Sequence, residues 1–179
     1  GLPDCRALAA GEVVELAPGS WCEFGTRRDF VLRSDRPVQM VQFVTSQETT
    51  GLNGVGRHAG DPAMSAVAPS EQYRSQYTFL TPDTYFANYI NVVHPPGALL
   101  ELDGQAINPV SMGNSARTPF IQVDNQPIGD GSWALTILGV GSGQHSIESM
   151  TLERFGITAY AYDDYVSYAF PGGLDLEKR

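Results

Sequence analysis

Between Gly60 and Gly104 the chain reads GDPAMSAVAPSEQYRSQYTFLTPDTYFANYINVVHPPGALLELDG, and this stretch constrains the fold more than any other. It holds three strand-like runs. Tyr77-Thr78-Phe79-Leu80 is closed by Thr81-Pro82-Asp83-Thr84, and Tyr89-Ile90-Asn91-Val92-Val93 by His94-Pro95-Pro96-Gly97. Ala98-Leu99-Leu100-Glu101-Leu102 is closed by Asp103-Gly104. β-Branched and aromatic residues fill the runs and Pro, Gly and Asp fill the gaps, the pattern of strands separated by turns. Asp-Gly is a favoured central pair of a two-residue hairpin, because both positions tolerate positive φ. Leu102 and Gln105 therefore flank an expected hairpin returning through Ala106-Ile107.

The rest of the chain repeats this short-strand grammar. Expected strands are Glu12–Leu16, Trp21–Phe24, Asp29–Arg33, Val38–Val44, Arg117–Asp124, Trp133–Val140, Gln144–Met150, Phe155–Tyr162 and Tyr165–Phe170. Turns are expected at Ala17–Ser20, Ser34–Pro37 and Gly141–Gly143, and turn-rich segments at Asn108–Ala116 and Asn125–Ser132. Val38–Val44 is almost continuously apolar, which reads as a central strand, and Trp21 reads as core packing. Thr45–Gly60 is polar, Gly-rich and without a period, so it reads as a long exposed loop, with His58 solvated inside it. Pro69–Arg74 suits a short helical turn, and no long amphipathic helix or fixed repeat is visible. Roughly ten or eleven short strands at regular spacing imply one all-β module over 1–179, an antiparallel β-sandwich of jelly-roll-like type, with an immunoglobulin-like sandwich as the alternative. The expected interior comprises Val41, Phe43, Phe79, Ile90, Val92, Leu100, Leu102, Leu135, Ile137, Ile157 and Ala159.

Charge narrows the function. The formal net charge is −9, which repels nucleic acid and anionic lipid. No run is long and apolar enough to span a membrane as a helix. The chain starts at Gly1, without an initiator Met or a signal sequence, as a mature product or an excised fragment of a longer surface protein would. A G-x-S-x-G elbow, an H-E-x-x-H pair, a phosphate loop and an EF-hand loop are all missing from the sequence. His58, His94 and His145 lie on separate segments, so no cofactor is expected. Asp124, Asp130, Asp163 and Asp164 lie in expected turns, where oxygen-rich loops suit calcium, although solvated turn aspartates are the default. Asp61, Glu71, Asp83 and Glu101 supply carboxylates from which a glycan-active site would have to be drawn.

Two constellations are candidates for binding. Asp61, Glu71, Gln72 and Arg74 crowd the segment between the Gly-rich loop and the first strong strand. Arg74 can fork to either carboxylate, so the four are expected to form a polar clasp that holds the loop, or else a ligand site. Tyr160, Tyr162, Tyr165 and Tyr168 flank Asp163-Asp164, either as an aromatic binding face or as cross-strand ring pairs. Cys5 and Cys22, with spacing that does not discriminate, are either bonded or two buried thiols.

A family resemblance rests on GDPAM, then P-x-E-Q-Y-R, Y-x-F-L-T-P-D-T-Y, N-Y-I-N-V-V and L-D-G. Asp29–Phe43 and the closing YAYDDYVSYAFPGGLD extend it. The chain from about Cys22 onward resembles the N-terminal module of IgGFc-binding proteins, which occurs in secreted and cell-surface proteins, bacterial ones included. The resemblance implies an extracellular or surface location and a Cys5–Cys22 disulfide. It also implies a non-catalytic binding or adhesion module for a protein or glycan ligand. A structural subunit of a fibre or layer, self-associating through edge strands, and a carbohydrate-active enzyme are the alternatives.

Overall fold

The computed structural model describes residues 5, 13–48, 58–107 and 120–176, and for 120–124 the description is of the backbone. The chain divides into two compact units, Gly1–Arg33 and Ser34–Arg179.

The first unit is closed by the expected Cys5–Cys22 disulfide, whose Cα atoms are 5.8 Å apart. Closing a loop of this length removes unfolded-state entropy and stabilises by up to about 3 kcal/mol. The turn at Ala17–Ser20 forms as expected, with Ser20 N–H donating to the Ala17 carbonyl at 2.9 Å and Gly19 at φ 77°. The strands expected in this unit do not: none of the described residues 13–33 lies in a strand. One polar contact here is local. The Thr26 hydroxyl accepts from Arg28 N–H at 3.0 Å, and Phe24 packs edge-on against Phe30 at 5.3 Å. Trp21, expected in a core, is 59% exposed.

The second unit contains eleven strands among the described residues, all paired antiparallel. They are β1 (Val41–Val44), β2 (Ala63–Ala66), β3 (Gln76–Thr81), β4 (Ala87–His94), β5 (Leu100–Leu102), β6 (Gln105–Ala106), β7 (Phe120–Ile128), β8 (Trp133–Val140), β9 (Gly143–Ser149), β10 (Gly156–Asp163) and β11 (Val166–Pro171). A 3₁₀ turn, Ser70–Gln72, precedes β3. One sheet has the order β11-β10-β4-β8-β7 and the other β3-β9-β5-β6. The chain passes from one sheet to the other between β3 and β4, β4 and β5, β6 and β7, β8 and β9, and β9 and β10. That alternation gives the expected jelly-roll-like sandwich.

Period-two patterning builds the interior. β3 alternates exposed and buried along its whole length, and β4 alternates half-buried and buried. The core joins Tyr77, Phe79, Leu100, Leu102 and Ile147 from one sheet to Ile90, Val92, Leu138, Ile157 and Ala159 from the other. The Asp103-Gly104 hairpin forms as expected, with Leu102 opposite Gln105 and φ of 53° and 72° at the two turn residues. β7 runs on to Ile128, so the turn begins later than the expected Asn125. Pro127 is tolerated there because β7 is an edge strand and needs no donor on its open side.

Val38–Val44 departs most from expectation. Only Val41–Val44 is a strand, and it pairs with β2 alone, in a two-stranded ribbon. Phe43 sits opposite Met64, and the two are 57% and 64% exposed. A largely apolar run does not say whether both faces are covered, and here one is not. Val41 is half-buried, and so is Ile137, which lies on the outer face of the five-stranded sheet beside Asn91.

Candidate binding surface

The four tyrosines flanking Asp163-Asp164 divide among three environments. Tyr160 and Tyr162 project from the outer face of β10, since Ala159 and Ala161 between them are buried. Tyr89 of β4 stacks on Tyr160 at 5.4 Å as a direct cross-strand pair. Burial raises the Tyr160 and Tyr162 hydroxyl pKa values, with Tyr162 and Tyr89 adding to the effect at Tyr160 and Tyr89 at Tyr162. Tyr168 lies on the inner side, opposite Ala161, where its hydroxyl donates to Asn88 Oδ1 at 2.9 Å. Burial pushes its pKa up to about 12. Buried Asn88 in turn donates to the Pro82 carbonyl at 3.3 Å, tying the β3–β4 loop to the sheet.

Tyr165 stands apart. It occupies the β10–β11 turn at φ 53°, a left-handed conformation that is strained for a bulky side chain. Its ring, 54% exposed, stacks on His58 at 4.3 Å and 17°. Three further contacts fix the pair. Tyr165 N–H donates to the His58 carbonyl at 2.8 Å, His58 N–H donates to Asp164 Oδ1 at 2.7 Å, and His58 Nδ1 lies 3.4 Å from the same carboxylate oxygen. His58 is therefore held, where the sequence suggested a free loop histidine. Next to it, Ala59 and Gly60 are buried, and Ala59 bridges Asp164. The end of the Thr45–Gly60 segment is thus bound to the sandwich, and residues 49–57 of that segment lie outside the described residues. Strain held by surrounding contacts is a mark of functional positions.

The clasp residues do not assemble into one network. Asp61 is exposed, and its carbonyl accepts from the Ser167 hydroxyl of β11. Ser167 lies opposite Tyr162. Arg74 exchanges backbone hydrogen bonds with Phe155, at the opposite end of β10. Phe155 to Tyr162 spans roughly 23 Å at the usual strand rise, beyond reach of an arginine. Gln72 takes part through its backbone, accepting from Asp175 N–H at 2.9 Å, and Glu71 is exposed. The sequence density of polar groups was real, but the chain carries them to opposite ends of a strand.

Polar constellations inside the sandwich serve the fold. His145 Nδ1 lies 2.7 Å from Asp103 Oδ2, and its Nε2 is 3.2 Å from the Thr81 hydroxyl. Thr81 is 1% exposed and also donates to the Gly141 carbonyl at 2.7 Å. His94 Nδ1 donates to the Pro95 carbonyl at 2.9 Å, and Nε2 is 2.9 Å from the Thr136 hydroxyl. Burial pushes the His94 pKa below its ordinary value. The expected calcium residues are engaged in their own turns: Asp130 Oδ1 accepts from Ser132 N–H at 3.0 Å and Asp163 Oδ1 from Asp164 N–H at 2.7 Å. The side chain of Asp124 lies outside the described residues. Among the described residues no group of three or more His, Cys, Asp or Glu side chains is placed to hold a metal ion. Asp61, Glu71, Asp83 and Glu101 sit on separate elements, with Glu101 half-buried on β5.

The His58–Tyr165 stack and the β1–β2 ribbon both carry exposed aromatic or apolar side chains. β2 lies alongside β11, and Asp61 links the two. Phe43 and Met64, opposite each other on the ribbon, are both more than half exposed. Sequence reading missed this pair because a buried and an exposed apolar strand look alike. The available clue was Gln39 and Gln42, which interrupt the run and need water or partners.

The family model for IgGFc binding protein matches residues 5–161. Comparison with curated proteins and with solved structures finds no match. The match spans the disulfide, both sheets as far as Ala161 of β10, and the ribbon, and the chain belongs to the IgGFc-binding protein family.

Proposed function

We propose that this domain is a non-catalytic binding module of a secreted or cell-surface protein, and that it grips a protein ligand through the His58–Tyr165 stack and the Phe43–Met64 ribbon. The observation that carries the reading is Tyr165: a tyrosine in a left-handed turn, held by His58 and Asp164, with its ring half in water. A rigid amphipathic ring offers contact area at low entropic cost. The family supports protein binding, and the disulfide fits an oxidising compartment. The net charge of −9 disfavours nucleic acid and anionic membrane as partners.

The family description names IgG Fc, which makes the Fc fragment the first ligand to test. Biolayer interferometry on immobilised Fc, intact and enzymatically deglycosylated, separates protein from glycan recognition. Equal binding to both forms is expected. Tyr165→Ala and Phe43→Ser should each weaken it roughly tenfold or more, as loss of an interface anchor does. Wild-type affinity in both variants overturns this surface as the site, and binding that vanishes with the glycan overturns the protein reading.

A further inference from the structure

At the end of the sandwich remote from Tyr165 lies a shallow cleft lined by Arg74, Ser75, Gln76, Leu152, Arg154 and Asp175. Two arginines converge there in a chain with only 11 basic residues and 20 acidic ones. Arg154 is fixed, with Nη1 donating to the Tyr73 carbonyl at 3.2 Å and to the Asp175 carboxylate at 2.8 Å. The Arg74 guanidinium has no hydrogen bond or ion pair among the described residues. Leu152 is held in a left-handed conformation, φ 63°, with 79% of its surface exposed at the rim.

The cleft borders an open sheet edge. β3 is the terminal strand of its sheet and carries no charge, no proline and no bulge. Ser149 N–H donates to the Ser75 carbonyl, which fixes Ser75 and Ser149 as a hydrogen-bonded pair. Antiparallel alternation then points the backbone groups of Tyr77, Phe79 and Thr81 at β9, and those of Gln76, Thr78 and Leu80 away from it. At Arg74 the outward side is taken by Phe155, and beyond it no described strand pairs with the edge. The other edges of the two larger sheets are guarded: β11 by the ribbon, β7 by Pro127, and β6 by a length of two residues.

We infer that the β3 edge and the arginine cleft form one site for an extended acidic peptide. The peptide adds as a strand along Gln76, Thr78 and Leu80, and a carboxylate side chain enters the cleft between Arg74 and Arg154. Main-chain bonds supply affinity in this mode and the side-chain pocket supplies selectivity. Asp175 is the internal precedent, since its carboxylate already sits on Arg154 as the ligand's would. Planar guanidinium pairs suit a carboxylate fork. This inference is independent of the Fc reading, because it concerns different residues at the other end of β10.

The test is fluorescence anisotropy with the full chain at low salt and three short labelled peptides of alternating Val and Glu, or Val and Gln, or Val and Glu with alternate amides N-methylated. The Glu peptide should bind saturably, and affinity should fall as salt rises. The Gln and N-methylated peptides should each bind roughly tenfold more weakly or worse. Arg74→Gln should produce a similar loss with an unchanged melting temperature, because its side chain supports no described contact. Asp175→Asn, which removes the resident carboxylate, should tighten binding severalfold. Equal affinity for the Glu and Gln peptides, or undiminished binding of the N-methylated peptide, overturns the inference. Competition by N-acetylneuraminic acid at the peptide's own potency overturns it in favour of a sugar acid. A dimer in light scattering that the Glu peptide does not dissociate overturns it in favour of a second copy on the edge.

Discussion

The sandwich interior and the β1–β2 ribbon are made from strands of similar apolar content, yet only one of them is a core. In β10, Ile157, Ala159 and Ala161 turn inward between partly covered residues, and strands on both sides complete the sheet. In the ribbon, Val41–Val44 has one partner strand and Phe43 is in water. Apolar composition recruits a segment to a surface, whereas burial of both faces requires neighbours on every side. The ribbon has spent its apolar side chains on a surface, and such a surface is available to a ligand.

Four substitutions or conditions probe this contrast, in order of falling effect. Phe155 is fully buried, and Phe155→Ala should cost about 3–5 kcal/mol in urea denaturation. A cost below about 1 kcal/mol would mean that the interior tolerates cavities as a surface does. Gly156→Ala sharpens the contrast from the other direction. An added Cβ would lie 2.3 Å from Tyr73 Cε1, against a ring that is itself buried. Overpacking of about 1–3 kcal/mol is expected, read as a lowered melting temperature.

The third is pH. Buried His94 has its pKa lowered from 6.5, chiefly by desolvation. The unfolded chain therefore binds the proton more readily than the folded one, so stability falls as pH drops below 6.5 and stops falling once pH is below the folded value. Denaturation midpoints of wild type and His94→Gln, compared above and below this window, isolate the contribution. An identical pH slope in the variant would remove His94 from the account. The smallest effect is expected in the ribbon. Phe43→Ser with Met64→Ser should change stability by no more than about 0.5 kcal/mol per site. A large loss would show the pair to be part of a core after all.

How far the sequence could be read follows from the same contrast. Runs with clean alternation or strong turn residues were legible: β3, β4, β8, β9 and the Asp103-Gly104 hairpin lie where period two and turn chemistry put them. The N-terminal strands were not, because Trp21–Phe24 and Asp29–Arg33 have strand-like composition but lie in no strand among the described residues, and strand pairing is a tertiary property. The tyrosine group was visible as a cluster in sequence and was dispersed by the pleat and the turn. Tyr160 and Tyr168 are close in the chain and lie on opposite faces of their sheet. The Arg74 cleft was half legible. The charge was noted, but Leu152, Arg154 and Asp175 arrive from distant parts of the chain. His58 was missed because its partner, Tyr165, lies more than a hundred residues away, as the 106-residue separation of His58 and Asp164 reflects.

The pairing of β3 with β9 has a consequence for how the chain reaches its fold. Thr81 and Gly143, neighbours across that pair, are 62 residues apart in sequence. Closing a loop of that size is an entropic cost met before any of the pair's contacts form, and domains rich in such distant pairings fold slowly. During synthesis, β3 leaves the ribosome long before β9 exists. For that interval both its edges are open, and a nascent chain in this state is exposed to mispairing with its neighbours. In the folded domain no described strand pairs with one of those edges. The same six uncharged residues thus set a kinetic hazard during biogenesis that a folding catalyst or chaperone would have to shield.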